Sequence, residues 1–177
     1  MKYTKTRDVK TPTGRRGADA GMDLYIPNDW NDGKTMKLYV GQQVNIPTGI
    51  KVEIPEGYMV KIDNKSGTSV KKGLVIGATI IDASYRGEMH CNMQKASIGT
   101  EDKLCEERPE ISSSTNMRIY KRDWSYTELV PGEKIAQAII IPISNETWDE
   151  ISNEEYNALP ETVRGEGGFG STTVTHD

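Results

Sequence analysis

Residues 44–62 read VNIPTGIKVEIPEGYMVKI, a stretch in which apolar and polar side chains alternate between proline and glycine turn signals. An alternation with a period of two is typical of a β-strand that buries one face. Proline and glycine supply the backbone angles of tight turns. The stretch therefore predicts short consecutive strands.

The same pattern continues along the chain in LVIGATII at 74–81 and QAIIIPI at 137–143. Short strands at close intervals indicate an all-β sandwich or barrel. One stretch, NETWDEISNEEYNAL at 145–159, favours a short helix, with Asn145 or Thr147 as its N-cap and Pro160 as its stop. After it we expect one β domain, residues 1–163, to give way to a flexible glycine-rich arm at 164–177.

Composition limits the kinds of protein that this chain can be. Its 177 residues, 35% of them hydrophobic, predict one soluble domain. The net charge of −4 argues against non-specific binding of nucleic acid. No apolar run approaches a membrane span or a secretory leader, so we expect a cytoplasmic protein without membrane contact. Cys91 and Cys105 fit no metal-binding spacing and are expected to be free thiols.

The chain has a single phenylalanine, Phe169, in RGEGGFGSTT at 164–173. Packed cores usually contain several phenylalanines because each ring buries a large apolar area. Here four glycines surround the ring, and they have little power to hold it in place. This placement indicates a role other than core packing.

Two other glycine-containing segments carry polar groups suited to chemistry. In NKSGTSVKKG at 64–73, Lys65, the Ser66 hydroxyl and the Gly67 N–H could cradle a phosphate, although a solvated hairpin turn explains the same residues. In GATIIDASYRG at 77–87, Asp82 emerges directly after an apolar run, where an aspartate can also simply form a turn.

Two further segments contribute an acid and an amide. ADAGMDL at 18–24 contains a pair of carboxylates, and GEKIAQA at 132–138 places Gln137 at the start of a predicted strand. Taken alone, a glutamine at such a position is usually a surface amide.

Taken together, five motifs, AGMDL, KSGTS, GATIIDASYRG, GEKIAQ and RGEGGFGST, resemble in order and character those of the trimeric dUTP pyrophosphatases, or dUTPases. The resemblance runs from about Gly17 to Thr173. It implies a jelly-roll-like β fold and a homotrimer in which each pocket draws on three chains. It also implies Mg²⁺-dependent hydrolysis of dUTP to dUMP and pyrophosphate, which limits uracil in DNA and supplies dUMP for thymidylate synthesis.

The resemblance assigns roles that suit the residue types. Asp82 would activate the attacking water, Tyr85 would pack on the deoxyribose, and Asp23 would hold the waters of Mg²⁺. The arm would close over the site and stack Phe169 on the uracil. The remaining substrate contacts are expected from Lys65, Ser66, Gly67, Thr79, His90, Gln137, Arg164, Gly170, Ser171 and Thr172.

The chain departs from the family pattern in three places, one of which is the third motif, where Thr79 and His90 stand at positions that often carry a small residue and a glycine. Lys65 replaces the usual arginine, which keeps the charge but loses the bidentate fork. Residues 97–128 are longer than the usual link between the third and fourth motifs. This insert is either an ordinary surface excursion or a protein-binding surface of a regulatory protein, as in some virus-borne members, with Trp124 and Tyr126 as anchors.

A related family offers another alternative. The dCTP deaminases share the fold and a similar aspartate motif, but they use a glutamate base further along the same strand. Glu88 comes too early for that role, and KSGTS does not match their second motif.

Overall fold

The computed structural model describes residues 1–14, 19–105, 125–144 and 146–162. The chain divides into two compact units, Met1–Ser144 and Asn145–Asp177. All strands of the described residues belong to the first unit. They are β1 (Lys2–Lys5), β2 (Thr13–Gly14), β3 (Gly21–Tyr25), β4 (Met36–Tyr39), β5 (Gln43–Pro47), β6 (Ile50–Glu53), β7 (Tyr58–Asp63), β8 (Leu74–Ile76), β9 (Ile80–Ile81), β10 (His90–Lys95), β11 (Lys103–Leu104), β12 (Ser125–Leu129) and β13 (Lys134–Pro142).

The strands form four antiparallel arrangements. The largest is a five-stranded sheet in the order β2-β3-β13-β7-β9. Two three-stranded sheets have the orders β5-β10-β8 and β11-β12-β4, and β1 pairs with β6. The prediction of an all-β fold is confirmed.

The stretch at 44–62 forms β5, β6 and β7 and supplies much of the core. Its inward-facing apolar side chains are 0–3% exposed, namely Ile46, Ile50, Ile54, Val60 and Ile62. They pack in one cluster with Leu24 and Ile135 of other strands. The alternation in the sequence therefore corresponds to one buried and one solvated face of each strand.

Helices in the described part of the chain are short, and one of them replaces a predicted turn. A 3-10 turn covers Trp30–Gly33. The hairpin-turn interpretation of NKSGTSVKKG is wrong, because Ser66–Lys72 forms the helix α1. It ends at Gly73, whose left-handed φ of 59° is the usual helix C-cap conformation. No helix among the described residues is long and apolar enough to cross a membrane.

The predicted helix near the C-terminus exists but is shorter than expected. It is α2 (Asn153–Asn157), and its N-cap is Ser152 rather than Thr147 or Asn145, of which the last lies outside the described residues. Ser152 and Glu155 form a capping box, with Glu155 N donating to the serine hydroxyl at 3.1 Å. A serine followed three residues later by a glutamate is the signal that places this helix start.

The two ends of the insert lie side by side. Lys103 and Leu104 of β11 pair with Tyr126 and Ser125 of β12. Tyr126 is only 8% exposed, and its ring lies 5.5 Å from that of Tyr39. The prediction of Tyr126 as a surface anchor is therefore wrong, since β12 is a strand of the framework. Trp124 lies outside the described residues.

The two cysteines are free thiols, as predicted, and they differ in burial. Cys91 is 0% exposed, and burial raises the pKa of its thiol to about 12. Because the thiolate is the reactive form, we expect Ellman's reagent to modify Cys105 in the native protein and Cys91 only after unfolding. A Cys105→Ser variant is the control and should show no fast reaction. Rapid modification of that variant would contradict the buried position of Cys91.

Candidate functional site

Three polar side chains lie in a row across the five-stranded sheet. Gln137 of β13 is directly opposite Asp23 of β3 on one side and Asp63 of β7 on the other. Residues directly opposite in an antiparallel pair place their side chains on the same face of the sheet. The row therefore brings two predicted site residues, Asp23 and Gln137, next to each other and adds a second carboxylate.

Asp23 is held by two lysines. The Lys134 ammonium lies 2.7 Å from one carboxylate oxygen, and Lys65 donates to the other. Burial alone would raise the pKa of Asp23, but the hydrogen bonds from Lys134 and Lys65 outweigh it and keep the pKa below its usual range. Asp23 is therefore ionised at neutral pH, within a small cluster of mixed charge.

Gln137 connects this row to the segment before α1. Its amide Nε2 donates to the Asn64 backbone oxygen at 2.8 Å. Gly21 leaves room for the side chain, because a Cβ at that position would lie 2.9 Å from Gln137 Oε1. Gln137 is thus a partly buried structural contact of the site rather than a free surface amide.

Helix α1 begins beside this row and presents an open first turn. Lys65 is its N-cap, and Ser66 and Gly67 are its first two residues, both exposed. A Cβ at Gly67 would meet nothing within 4 Å, so its backbone is accessible. We call Asp23, Lys65, Ser66, Gly67 and Gln137 the α1 group.

The other end of α1 is fixed by a buried ion pair that sequence reasoning missed. Lys95 Nζ lies 2.6 and 2.7 Å from the Asp102 carboxylate oxygens and donates to the Lys72 backbone oxygen at 2.6 Å. Asp102 also accepts from Gly99 N at 3.0 Å. The sequence signal that could have revealed the buried lysine is the alternation in β10, which places Lys95 on the inward face with Cys91 and Met93.

The third motif forms a hairpin between two sheets. Asp82 directly follows β9, is exposed, and accepts a backbone hydrogen bond from Tyr85 N at 3.1 Å. The Thr79 backbone oxygen accepts from Ile62 N at 2.8 Å. His90 begins β10, which pairs with β5. We call Thr79, Asp82, Tyr85 and His90 the hairpin group.

Asp82 of the hairpin group and Asp23 of the α1 group lie far apart within one chain, although Thr79 of the hairpin bonds to Ile62 of β7. β9 lies three strands from β3 in the sheet, which is about 14 Å at the usual strand spacing. Asp82 follows the Val60–Ile81 pair, which places it about four residues, roughly 13 Å, along the strands from the row of Asp63. Asp82 and Asp23 are therefore on the order of 20 Å apart.

The predicted contacts of the arm, Arg164, Phe169, Gly170, Ser171 and Thr172, lie outside the described residues. The described residues therefore supply the sheet row, the start of α1 and the hairpin, and the part assigned to the arm stays a prediction.

Comparison with known proteins places these features in one family. Residues 7–101 match the dUTPase family model. The deoxyuridine 5'-triphosphate nucleotidohydrolase of Dictyoglomus turgidum is 30% identical over 168 residues, covering 94% of this chain and 92% of the relative. Among solved structures, the dUTPase of Staphylococcus bacteriophage 80alpha with dUPNHPP has a TM-score of 0.71 at 25% identity and covers 98% of each chain.

A second solved structure bears on metal binding. A mutant dUTPase from phage phi11 of S. aureus, which coordinates a structural Mg(II) ion, has a TM-score of 0.63 at 25% identity. The match covers 85% of this chain and 95% of that chain. The segment that matches the family model spans more than half of this chain, and the motifs lie at the sheet row, at α1 and in the hairpin. This chain belongs to the dUTPase family.

Proposed function

We propose that this chain hydrolyses dUTP to dUMP and pyrophosphate with Mg²⁺. Family membership supports the reaction class. The observation that carries the proposal is the row of Asp23, Gln137 and Asp63 beside the open first turn of α1. It combines hydrogen-bond donors for phosphate oxygens with carboxylates in one place.

The α1 group suits a triphosphate. The Ser66 hydroxyl, the Gly67 N–H and the Gln137 amide would donate to phosphate oxygens, and Lys65 would supply positive charge. In the free protein that charge is paired with Asp23. The approach of a polyanion would draw the ammonium group of Lys65 away from Asp23 and leave the carboxylate oxygen that Lys134 does not contact available to other ligands.

Asp23 suits the second ligand of such a site, the Mg²⁺ ion. Mg²⁺ prefers oxygen ligands and keeps several waters, so one ionised carboxylate plus substrate phosphates is a suitable donor set. When bound, the ion would neutralise phosphate charge and orient the triphosphate for cleavage. Asp23 would hold it through its waters, which is the role that its lowered pKa supports.

The hairpin group suits the reacting end of the substrate. The exposed Asp82 carboxylate would hold a water against the α-phosphorus and accept its proton as the new P–O bond forms. The bond from the α-phosphorus to the bridging oxygen then breaks and pyrophosphate leaves. Tyr85 would pack on the deoxyribose, and the backbone groups near Thr79 and His90 would contact the uracil.

The separation of Asp82 and Asp23 supports a site built from more than one chain, and the resemblance to the trimeric family supports a homotrimer. Asp82 and Asp23 of one chain are about 20 Å apart. Two side chains at that distance cannot both reach the same phosphate group. We propose that the α1 group of one chain meets the hairpin group of a second and the arm of a third. Light scattering tests this proposal, and a stable mass near the monomer value of 19.7 kDa would contradict it.

The arm at 164–177 is proposed to complete the site in the same assembly. Phe169 would stack on the uracil, while Arg164, Ser171 and Thr172 would contact the β- and γ-phosphates and Gly170 would allow close approach. A base stack contributes roughly 1–3 kcal/mol, so Phe169→Ala should lower kcat/KM for dUTP by about 5- to 150-fold. Steady-state kinetics measure this, with Phe169→Trp as the control that keeps a ring. Equal losses in the two variants would argue against stacking.

Binding of a protein partner by the insert is a separate proposal. Because β11 and β12 pair at its ends, residues 106–124 can be removed while the paired strands are kept. A pull-down with and without these residues tests for a partner. Retention of dUTP hydrolysis in the shortened protein would separate partner binding from the reaction.

The decisive experiment for the function is a pyrophosphate-release assay with dUTP, dTTP, dCTP and UTP, each with and without Mg²⁺. We expect turnover of dUTP with strong preference over the others, and dependence on Mg²⁺. Such an enzyme would remove dUTP in the cytoplasm and supply dUMP. Comparable turnover of dCTP with release of ammonia would instead assign the chain to the deaminases.

A further inference from the structure

Glu88 joins the N-terminal segment to the hairpin. Its carboxylate accepts from Gly49 N at 2.7 Å and from Arg7 Nε at 3.0 Å. The Glu88 side chain is 14% exposed, whereas that of Arg7 is 37% exposed. Arg7 precedes Glu88 by 81 residues, so this contact is a tertiary anchor and not a local turn.

The backbone oxygen of Glu88 holds two residues of the hairpin group. Tyr85 Oη donates to it at 2.9 Å, and His90 Nδ1 lies 2.9 Å from it. Because a carbonyl oxygen can only accept, the proton of His90 in this contact is on Nδ1. One fixed oxygen therefore determines the position of the tyrosine hydroxyl and the orientation of the histidine ring.

The Tyr85 ring lies in a narrow space beside Gly87. A Cβ at Gly87 would lie 2.2 Å from Tyr85 Oη and 2.4 Å from Cζ, so the ring occupies the space that a side chain at 87 would need. Tyr85 is nevertheless 42% exposed and has little packing on its outer side. A single hydrogen bond contributes only about 1 kcal/mol, so the ring is held in one place only if its acceptor is itself fixed.

The turn between β5 and β6 provides that fixed point. Gly49 has a φ of +69°, and a Cβ there would lie 2.7 Å from Val9 Cγ1. The Thr48 hydroxyl also donates to the Met89 backbone oxygen at 2.9 Å, and Met89 N donates to Ile50 O at 2.9 Å. The residue after Glu88 is thus bonded to the same turn, so both the Glu88 side chain and the backbone at Met89 connect the hairpin to it.

We infer that Arg7 and Glu88 are positioning residues that fix the Tyr85 ring and thereby set the preference for deoxyribose over ribose. The inference rests on the proposed function, in which the Tyr85 ring packs on the sugar. Exclusion of a 2'-hydroxyl depends on the distance between the ring and C2', so a ring free to move would admit ribose. Arg7 and Glu88 act through Tyr85 and need not touch the substrate themselves.

The test compares kcat/KM for dUTP and for UTP in the full-length protein. Arg7→Ala and Glu88→Gln should each lower the dUTP/UTP ratio by about fivefold or more, since each removes a charged hydrogen bond of the anchor. Arg7→Lys keeps the charge and should restore part of the ratio. Lys103→Ala, which removes an exposed ion pair with Glu128, is the matched control and should leave the ratio unchanged.

A double-mutant cycle separates positioning from general destabilisation. Tyr85→Phe should itself lower the ratio, and Arg7→Ala should add little in that background because both act through the same hydroxyl contact. Unchanged selectivity in Arg7→Ala and Glu88→Gln, equal losses for dUTP and UTP, or full additivity with Tyr85→Phe would overturn the inference while the wild type still hydrolyses dUTP. A wild type without dUTP hydrolysis would overturn the proposed function as well.

Discussion

Replacement of Asp82 by asparagine should lower kcat for dUTP by about 10²–10⁴-fold, the usual contribution of a positioned general base. Asparagine has the size of aspartate but cannot accept the proton of the attacking water. The backbone contact of Asp82 with Tyr85 N does not involve the side chain, so the turn should be kept. Binding of a non-hydrolysable dUTP analogue should accordingly change little.

The same variant should be as stable as the wild type. Asp82 is exposed, and its carboxylate has no hydrogen bond or ion pair within the part of the chain that the structure describes. Surface substitutions of this kind usually change stability by about 0.5 kcal/mol or less. The matched control is Asp32→Asn, at an exposed aspartate of the 3-10 turn with φ 55°, which should retain full turnover. Near-normal turnover by Asp82→Asn would exclude Asp82 as the base.

The strands were predictable because the sequence carries their pattern directly. In residues 44–62 the apolar side chains alternate, and the structure buries these residues in β5, β6 and β7. Helix α1 was not predictable in this way, because it has seven residues and none of them is buried. A helix without an apolar face leaves no 3.6-residue period to detect.

The sequence names candidate site residues but not their arrangement. The motifs name Asp23 and Gln137, yet only the register of β3 and β13 shows that they lie directly opposite each other. The two lysines on Asp23 come from different elements, Lys65 before α1 and Lys134 at the start of β13. Such contacts depend on strand pairing over long sequence separations, which local pattern does not encode.

For Tyr126 the local composition led to a wrong prediction of surface exposure. The segment before it is polar and basic, which favours a surface interpretation, but Ser125, Tyr126 and Thr127 are all buried in β12. The strand lies between β11 and β4, so both of its edges are paired. Position within the sheet therefore outweighs the polarity of the neighbouring sequence.

Replacement of Asp102 by alanine should lower the free energy of unfolding by about 3–5 kcal/mol, the usual cost of breaking a buried ion pair on one side. The Lys95 and Asp102 side chains are 0% and 3% exposed. Loss of the carboxylate leaves a buried ammonium group with only the Lys72 backbone oxygen as a hydrogen-bond partner among the described residues. It also leaves Gly99 N without its acceptor.

Chemical denaturation at one fixed protein concentration measures this change, since the proposed homotrimer would make apparent stability depend on concentration. Lys71→Ala is the matched control, because Lys71 and Glu101 form an ion pair close to the same loop with side chains 57% and 54% exposed. That variant should lose about 1 kcal/mol or less. The double variant Lys95→Met with Asp102→Ala removes both charges, so it should be more stable than Asp102→Ala alone. An Asp102→Ala protein no less stable than Lys71→Ala would mean that Lys95 finds water or another partner, and that the pair does not fix the end of α1.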